Sequence, residues 1–196
     1  IVYTPGKDGM AGAVEKAKEL CEELGAFMPM QFNNSSNIDA HYMTTANEIL
    51  NDLPDINYVF AGIGTGGTAS GIGRSLRDSG SKGKVIGVEP AESPLITEGH
   101  AGPHKIQGIG ANFLPGNYDV NAIDRVVTVK GDDAIATAVR LAKEEGIFAG
   151  ISSGAAVFAA LQQAENTLQT GRTAHTCRRN QTPAPACPPP GADGSA

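Results

Sequence analysis

Three cysteines, Cys21, Cys177 and Cys187, are too few and too scattered to build a disulfide framework or a zinc site. No run of apolar residues is long enough to span a bilayer, and the first residues show no positively charged region followed by an apolar one. The sequence therefore reads as that of a soluble, cytoplasmic protein. Basic clusters are missing before the tail, and a formal net charge of -6 with a pI near 5.2 argues against nucleic acid or an acidic membrane as partner. Small molecules are the partners that remain. No internal repeat is evident, and His41 has no companion at metal-ligand spacing, so it reads as a surface residue and no metal site is expected. What the chain does have, over 196 residues, is a hydrophobic content of 40%, enough for a real core, and 25 glycines.

The most telling glycines lie in Tyr58 to Arg74, YVFAGIGTGGTASGIGR. Tyr58, Val59, Phe60 and Ala61 are apolar without a helical period and predict a strand; Gly62 to Gly67 predicts a tight turn; Thr68 opens a segment that runs as a helix to about Asp78. Glycine lets main-chain N–H groups approach a ligand closely, and at a helix N-terminus those groups are unpaired and face the positive end of the dipole. A phosphate dianion is the natural occupant, with Thr65 and Thr68 as further hydroxyl donors. Two cofactor classes compete for this cradle. Gly62, Gly64 and Gly67 spell a dinucleotide pattern, and Glu89, after the apolar strand Val85 to Val88, stands where a ribose-binding acid would.

Around the cradle the chain alternates strands and helices. Ile1 to Tyr3 and Phe27 to Phe32 are strand candidates, and Met10 to Leu24 is an amphipathic helix with Ala13, Ala17, Leu20 and Leu24 on one face and Gly25 as its stop. Asn33 to Asn37 is a polar loop, after which Asp39 can cap a helix through about Leu50 that Pro54 forces to end. Pro90 to Asp124 shows little periodicity. A strand follows at Arg125 to Val129, a helix at Asp132 to Glu145 stopped by Gly146, and a small-residue helix from Ala155 to about Leu168 behind the turn Ser152-Ser153-Gly154. The pattern implies an α/β fold, a parallel sheet with helices on both faces.

Four blocks share a single resemblance: Phe60 to Gly73; Gly87-Val88-Glu89-Pro90; Gly102 to Ala111, GPHKIQGIGA; and Glu145 to Ala156, EGIFAGISSGAA. In order and spacing they resemble cysteine synthase, a pyridoxal-phosphate enzyme family of the tryptophan-synthase-β type of fold (fold type II), from Ile1 to about Thr170. The resemblance implies pyridoxal 5'-phosphate as cofactor, a homodimer, and replacement of the acetyl group of O-acetylserine by sulfide through an aminoacrylate on the cofactor. Relatives using O-phosphoserine or homocysteine share the motifs. It assigns Gly64, Thr65, Gly66, Gly67 and Thr68 to the cofactor phosphate and Ser152 to the pyridine nitrogen, where a neutral hydroxyl makes a weaker electron sink than an aspartate. Read without the resemblance, Ser152 is better taken as an ordinary helix N-cap, a role that Ser153 could equally fill. Gln31 matches a glutamine near the substrate carboxylate, and Gly108, Gly110 and Ala111 match a loop lining the active site. Gln31 could also solvate a strand end, and His104 and Lys105 read as structural or solvated.

The family's Schiff-base lysine, in a Ser-x-Lys-Asp-Arg context, and its Thr-Ser-Gly-Asn-type substrate loop do not occur in this sequence, and no catalytic residue is assigned. Lys7 lies in a turn, and Lys16, Lys18, Lys82, Lys84, Lys130 and Lys143 read as surface lysines. The expected organisation is residues 1–34 from the smaller domain, 35–170 from the larger cofactor domain, and 171–196 as a disordered tail. The expectation is a chain inactive by itself, with a tail that is a reading-frame error. With suitable third bases, a one-nucleotide step back through Asn180 to Pro188 spells Pro-Asp-Thr-Gly-Ala-Arg-Leu-Ser, close to a motif the family has there. The competing reading is a nucleotide- or dinucleotide-binding Rossmann-like module.

Overall fold

A computed structural model describes residues 1–169. The expectations for residues 170–196, the tail and its reading frame among them, lie outside the described residues. The elements are a short 3-10 turn at Gly6–Asp8, then α1 (Gly9–Leu24), α2 (Ser36–Met43), α3 (Thr45–Asp52), β1 (Tyr58–Gly62), α4 (Gly67–Asp78), β2 (Lys84–Pro90), α5 (Leu95–Glu98), β3 (Arg125–Val129), α6 (Gly131–Glu144) and α7 (Ile151–Gln169). The strands form a parallel sheet in the order β1-β2-β3, with Tyr58 opposite Lys84, Gly62 opposite Val88, and Ile86 opposite Arg125.

Side-chain alternation along the strands divides the core in two. Val59, Ala61, Val85 and Val126 turn to a core completed by Ala46 of α3 and by Ala69, Ile72 and Leu76 of α4. Phe60, Val88, Val127 and Val129 turn to the other, completed by Ala134 of α6 and by Ala155 and Ala159 of α7. Helices thus cover both faces, as the continuous apolar run of β2 requires: all its residues but Lys84 are buried. Small residues set the spacing between helices. A Cβ on Gly154 of α7 would run into the Ala134 carbonyl of α6, so the two helices meet backbone to backbone.

Four expectations are corrected. Ile1 to Tyr3 is not a strand: it is exposed and, among the described residues, has no neighbouring strand to supply main-chain partners. Phe27 to Phe32 is not a strand either, because Met30 adopts φ 57° and its carbonyl accepts the N–H groups of Asn33 and Asn34 in a turn. The helix assigned to Asp39–Leu50 starts earlier, at Ser36, and breaks at Thr44 (φ -115°, ψ -74°), so Asp39 lies inside α2 and caps nothing. Finally, α7 begins at Ile151, since the Gly150 carbonyl already accepts the N–H groups of Ser153 and Gly154; Ser152 and Ser153 occupy its first turn. By contrast, α1 stops where the sequence says, with Gly25 left-handed at φ 59° and its N–H on the Cys21 carbonyl.

Candidate functional site

The chain leaves β1 at the carboxyl end of the sheet and turns through Ile63 to Gly66 into α4. Ile63 stays tied to the sheet, its N–H donating to the Val88 carbonyl at 2.9 Å, while its own carbonyl accepts the Gly110 N–H at 3.0 Å. The loop at 108–111 is thereby stitched against the cradle. Gly64 faces the Gly108 carbonyl so closely that a Cβ there would come within 2.5 Å of it. Gly66 enters α4 left-handed at φ 83°, and a Cβ would press at 2.9–3.0 Å on the backbone of Asn117 and Tyr118. Both features demand glycine. The α4 ladder then opens with the Ser70 N–H on the Gly66 carbonyl at 3.0 Å, which leaves the preceding turn with the orphan donors of a helix start.

In front of this turn lies a cavity of about 580 Å³ whose walls include Gln31, Gly64, Thr65, Gly108, Gly110 and Ala111. These six are sequence-assigned residues drawn from three separate segments. Ser152 does not line this cavity but lies next to its Gly108 wall: a Cβ on Gly108 would sit 3.5 Å from the Ser152 Oγ. Gly66, Gly67 and Thr68 continue from Thr65 into the first turn of α4. His104 also lines the cavity and holds its floor, with Nε2 2.7 Å from the Gly110 carbonyl; since a carbonyl only accepts, Nε2 carries the proton. Its Nδ1 is buried and has no partner among the described residues. Lys105 points away and pairs with Asp132 at the surface.

A layer of polar residues behind the cradle was not foreseen. The Gln31 carbonyl accepts the side-chain amides of Asn37 at 2.9 Å and Asn117 at 2.8 Å. Ser70 Oγ donates to the Asn117 carbonyl at 2.7 Å and accepts the Asp119 N–H at 3.0 Å. These bonds fix the strained Met30-Gln31 segment against α4. His41 is not the free surface residue its sequence context suggests: it is half-buried, with Nε2 3.0 Å from Thr68 Oγ1 and Nδ1 2.9 Å from Thr45 Oγ1. Burial, and then the Glu89 carboxylate, push the Tyr118 phenol above its ordinary value, so it stays neutral beside the cradle.

Glu89 settles between the two ligand classes. It is 2% exposed, and its carboxylate accepts the N–H groups of Ile96 and Thr97 at 2.9 Å each and the Thr97 hydroxyl at 2.6 Å. The acid that a dinucleotide site would turn to a ribose is here spent on starting α5. The glycine-rich turn stands without the free acid that a nucleotide site would need.

Known proteins share this fold and much of this sequence. Cysteine synthase of Staphylococcus aureus (strain N315) is 46% identical over 178 residues, which are 90% of this chain and 57% of the relative. Cysteine synthase B of Campylobacter jejuni is 53% identical over 159 residues, 80% of this chain and 53% of the relative. Among solved structures, O-ureido-L-serine synthase superposes with a TM-score of 0.81 at 43% identity, covering 84% of this chain and 52% of that one. Cysteine synthase from Entamoeba histolytica does so with a TM-score of 0.77 at 40% identity, covering 84% and 49%. The chain spans about half the length of the relatives it matches. The family model described as pyridoxal-phosphate dependent enzyme matches residues 1–175, nearly the whole sequence and the whole cavity with it, and this chain belongs to that family.

Proposed function

We propose that the cavity at the start of α4 holds pyridoxal 5'-phosphate and that the protein serves cysteine synthase chemistry, in which sulfide replaces the acetyl group of O-acetylserine. The observation that carries this reading is the convergence of Gln31, Gly64, Thr65, Gly108, Gly110 and Ala111 on one cavity, with Ser152 at its Gly108 wall. The bound cofactor supplies an electron sink for replacement at the β-carbon of a serine derivative. The chain's own groups supply the rest. N–H groups of the first turn of α4, beyond that of Gly67, and the hydroxyls of Thr65 and Thr68 would bind the phosphate dianion where the helix dipole favours negative charge. The Ser152 hydroxyl would hold the pyridine nitrogen without adding a formal charge. Gln31, its carbonyl pinned from behind by Asn37 and Asn117, offers its carboxamide to the substrate carboxylate. The loop at 108–111 bounds the cofactor.

The resemblance also supports a homodimer, a cytoplasmic location, and a division at residue 34 between a smaller domain and residues 35–170 of a larger one. No helix among the described residues is long and apolar enough to cross a membrane.

No lysine lines the cavity among the described residues. The chain is therefore expected to hold the cofactor reversibly, through the phosphate and ring contacts alone. Equilibrium dialysis against pyridoxal 5'-phosphate, then borohydride reduction and peptide mapping, checks both halves. The expected result is saturable binding with no single lysine reduced in stoichiometric amount. No binding at all would end the cofactor reading, and stoichiometric labelling of one lysine would end the reversible one.

A further inference from the structure

Two glycines four residues apart, Gly67 and Gly71, leave one face of α4 bare, and α2 lies in the gap. The place of a Cβ on Gly67 is filled by the Asn37 carboxamide, and one on Gly71 would stand 2.5 Å from the Ile38 carbonyl and 2.8 Å from the His41 Cβ. Asn37 and His41 are also four apart, so a single face of α2 brings both polar groups to the cradle's threonines. Asn37 Nδ2 donates to Thr65 Oγ1 at 3.0 Å, and the Gly67 N–H reaches the same oxygen at 3.3 Å. His41 Nε2 faces Thr68 Oγ1, with Thr45 Oγ1 behind its Nδ1.

A threonine hydroxyl has one proton to give and two lone pairs to receive. The orientation of the Asn37 amide is set by its second acceptor, the Gln31 carbonyl at 2.9 Å, which cannot donate; the nitrogen must face both. With Asn37 and Gly67 donating to Thr65 Oγ1, the Thr65 proton is free for a third group. His41 does the same at Thr68 in one of its two neutral tautomers. When Nε2 carries the proton it donates to Thr68 and Nδ1 accepts from Thr45, so the Thr68 proton is released forward. In the other tautomer Nε2 takes the Thr68 proton, and the cradle loses a donor.

We propose that Asn37 and His41 are positioning residues for an anion at the α4 N-terminus: they hold the Thr65 and Thr68 hydroxyls as donors, and His41 is the Nε2–H tautomer when the anion is bound. This rests on the reading that the cradle takes the cofactor phosphate. The test uses the full chain with 15N-labelled histidine, titrated with pyridoxal 5'-phosphate and with inorganic phosphate at a pH above the usual imidazole range. His41 is assigned by its loss in His41→Gln. The expected bound state has a protonated Nε2 and an unprotonated Nδ1. Asn37→Ala and His41→Ala should each bind pyridoxal 5'-phosphate about tenfold or more weakly, as for one hydrogen bond to a charged group. His41→Gln, whose amide can replace the Nε2–H donor, should recover most of that loss at the same melting temperature as His41→Ala. A bound His41 protonated on Nδ1, or alanine variants that bind as tightly as the wild type, would overturn the proposal and leave the cradle reading intact. A wild type that binds neither probe overturns both.

Discussion

At Gly66 the backbone and its neighbours both exclude a side chain. A side chain there must adopt a left-handed backbone that costs an L-residue about 1–2 kcal/mol, before any contact is counted. Its Cβ would then press on Asn117 and Tyr118, and Asn117 cannot yield freely because its amide, its N–H and its carbonyl are all engaged, with Gln31, Phe32 and Ser70. Gly66→Ala is expected to lower unfolding free energy by at least about 1–2 kcal/mol in denaturant titration, and to weaken pyridoxal 5'-phosphate. Gly66→Asp adds a carboxylate at the proposed phosphate site and should abolish retention in dialysis. An alanine variant with unchanged melting and unchanged binding would refute this account. The strand, turn and helix around the cradle were legible because they follow one another immediately in the chain, each with its own local signal. Asn37, His41 and Asn117 were not, since each acts on a partner 28, 27 or 86 residues away. Glu89 misled for the opposite reason: its position at a strand end is right for a ribose, and only its hydrogen bonds show that it is already used.

At the scale of elements, those with marked ends were read well. Gly25 and Gly146 stop helices with positive φ, and the periodless apolar runs at β1, β2 and β3 fall within a residue or two of where the sheet uses them. Apolar content without a neighbour was misread. Phe27 to Phe32 is as hydrophobic as a strand, but Pro29 offers no N–H and Met30 turns the chain, so its polar groups are satisfied by turn bonds and side-chain amides. The irregular connection between β2 and β3 holds its shape by anchoring to helices already in place. Arg74 of α4 reaches Asp119 at 2.8 Å. Burial acts upward on the Asp119 carboxyl, but the bonds from Arg74 and from the N–H groups of Asn121 and Ala122 together hold it below the usual carboxylate range. A carboxyl with a lowered folded pKa adds stability that is fully present above its unfolded pKa and lost as pH falls through the folded one. Asp119→Asn should therefore be less stable than wild type near neutrality, and the two should converge in acid below the ordinary carboxylate pKa. A separation between the two that does not change over that range would show that the Asp119 carboxyl is not lowered in the folded chain.

Over the whole molecule, order is unevenly distributed. The sheet and its covering helices bury two apolar cores, while α1, sixteen residues long, has no buried residue. Its apolar side instead opens on a groove of about 320 Å³ walled by Met10, Ala13, Ala17, Met28, Met30 and Phe113. Leu24 and Phe27 are exposed beside it, as is the segment Ile1 to Tyr3. A helix of this length is marginal in water without tertiary packing, and its stability must come from the few contacts along that groove. In α4 the situation is reversed: Ala69, Ile72 and Leu76 are 1–2% exposed, and Ser70 is anchored to Asn117. Local opening follows burial, so native-state hydrogen exchange of the full chain should rank the elements. Amides of α1 are expected to exchange first, with protection close to that of an isolated helix. Those of β2 and α4 should exchange last, near the rate set by global unfolding. Added pyridoxal 5'-phosphate should slow exchange in α4 and at 108–111 before it affects α1. If α1 amides are as slow as those of α4 without ligand, the groove holds the helix far more firmly than its exposure allows, and this division of the molecule is wrong.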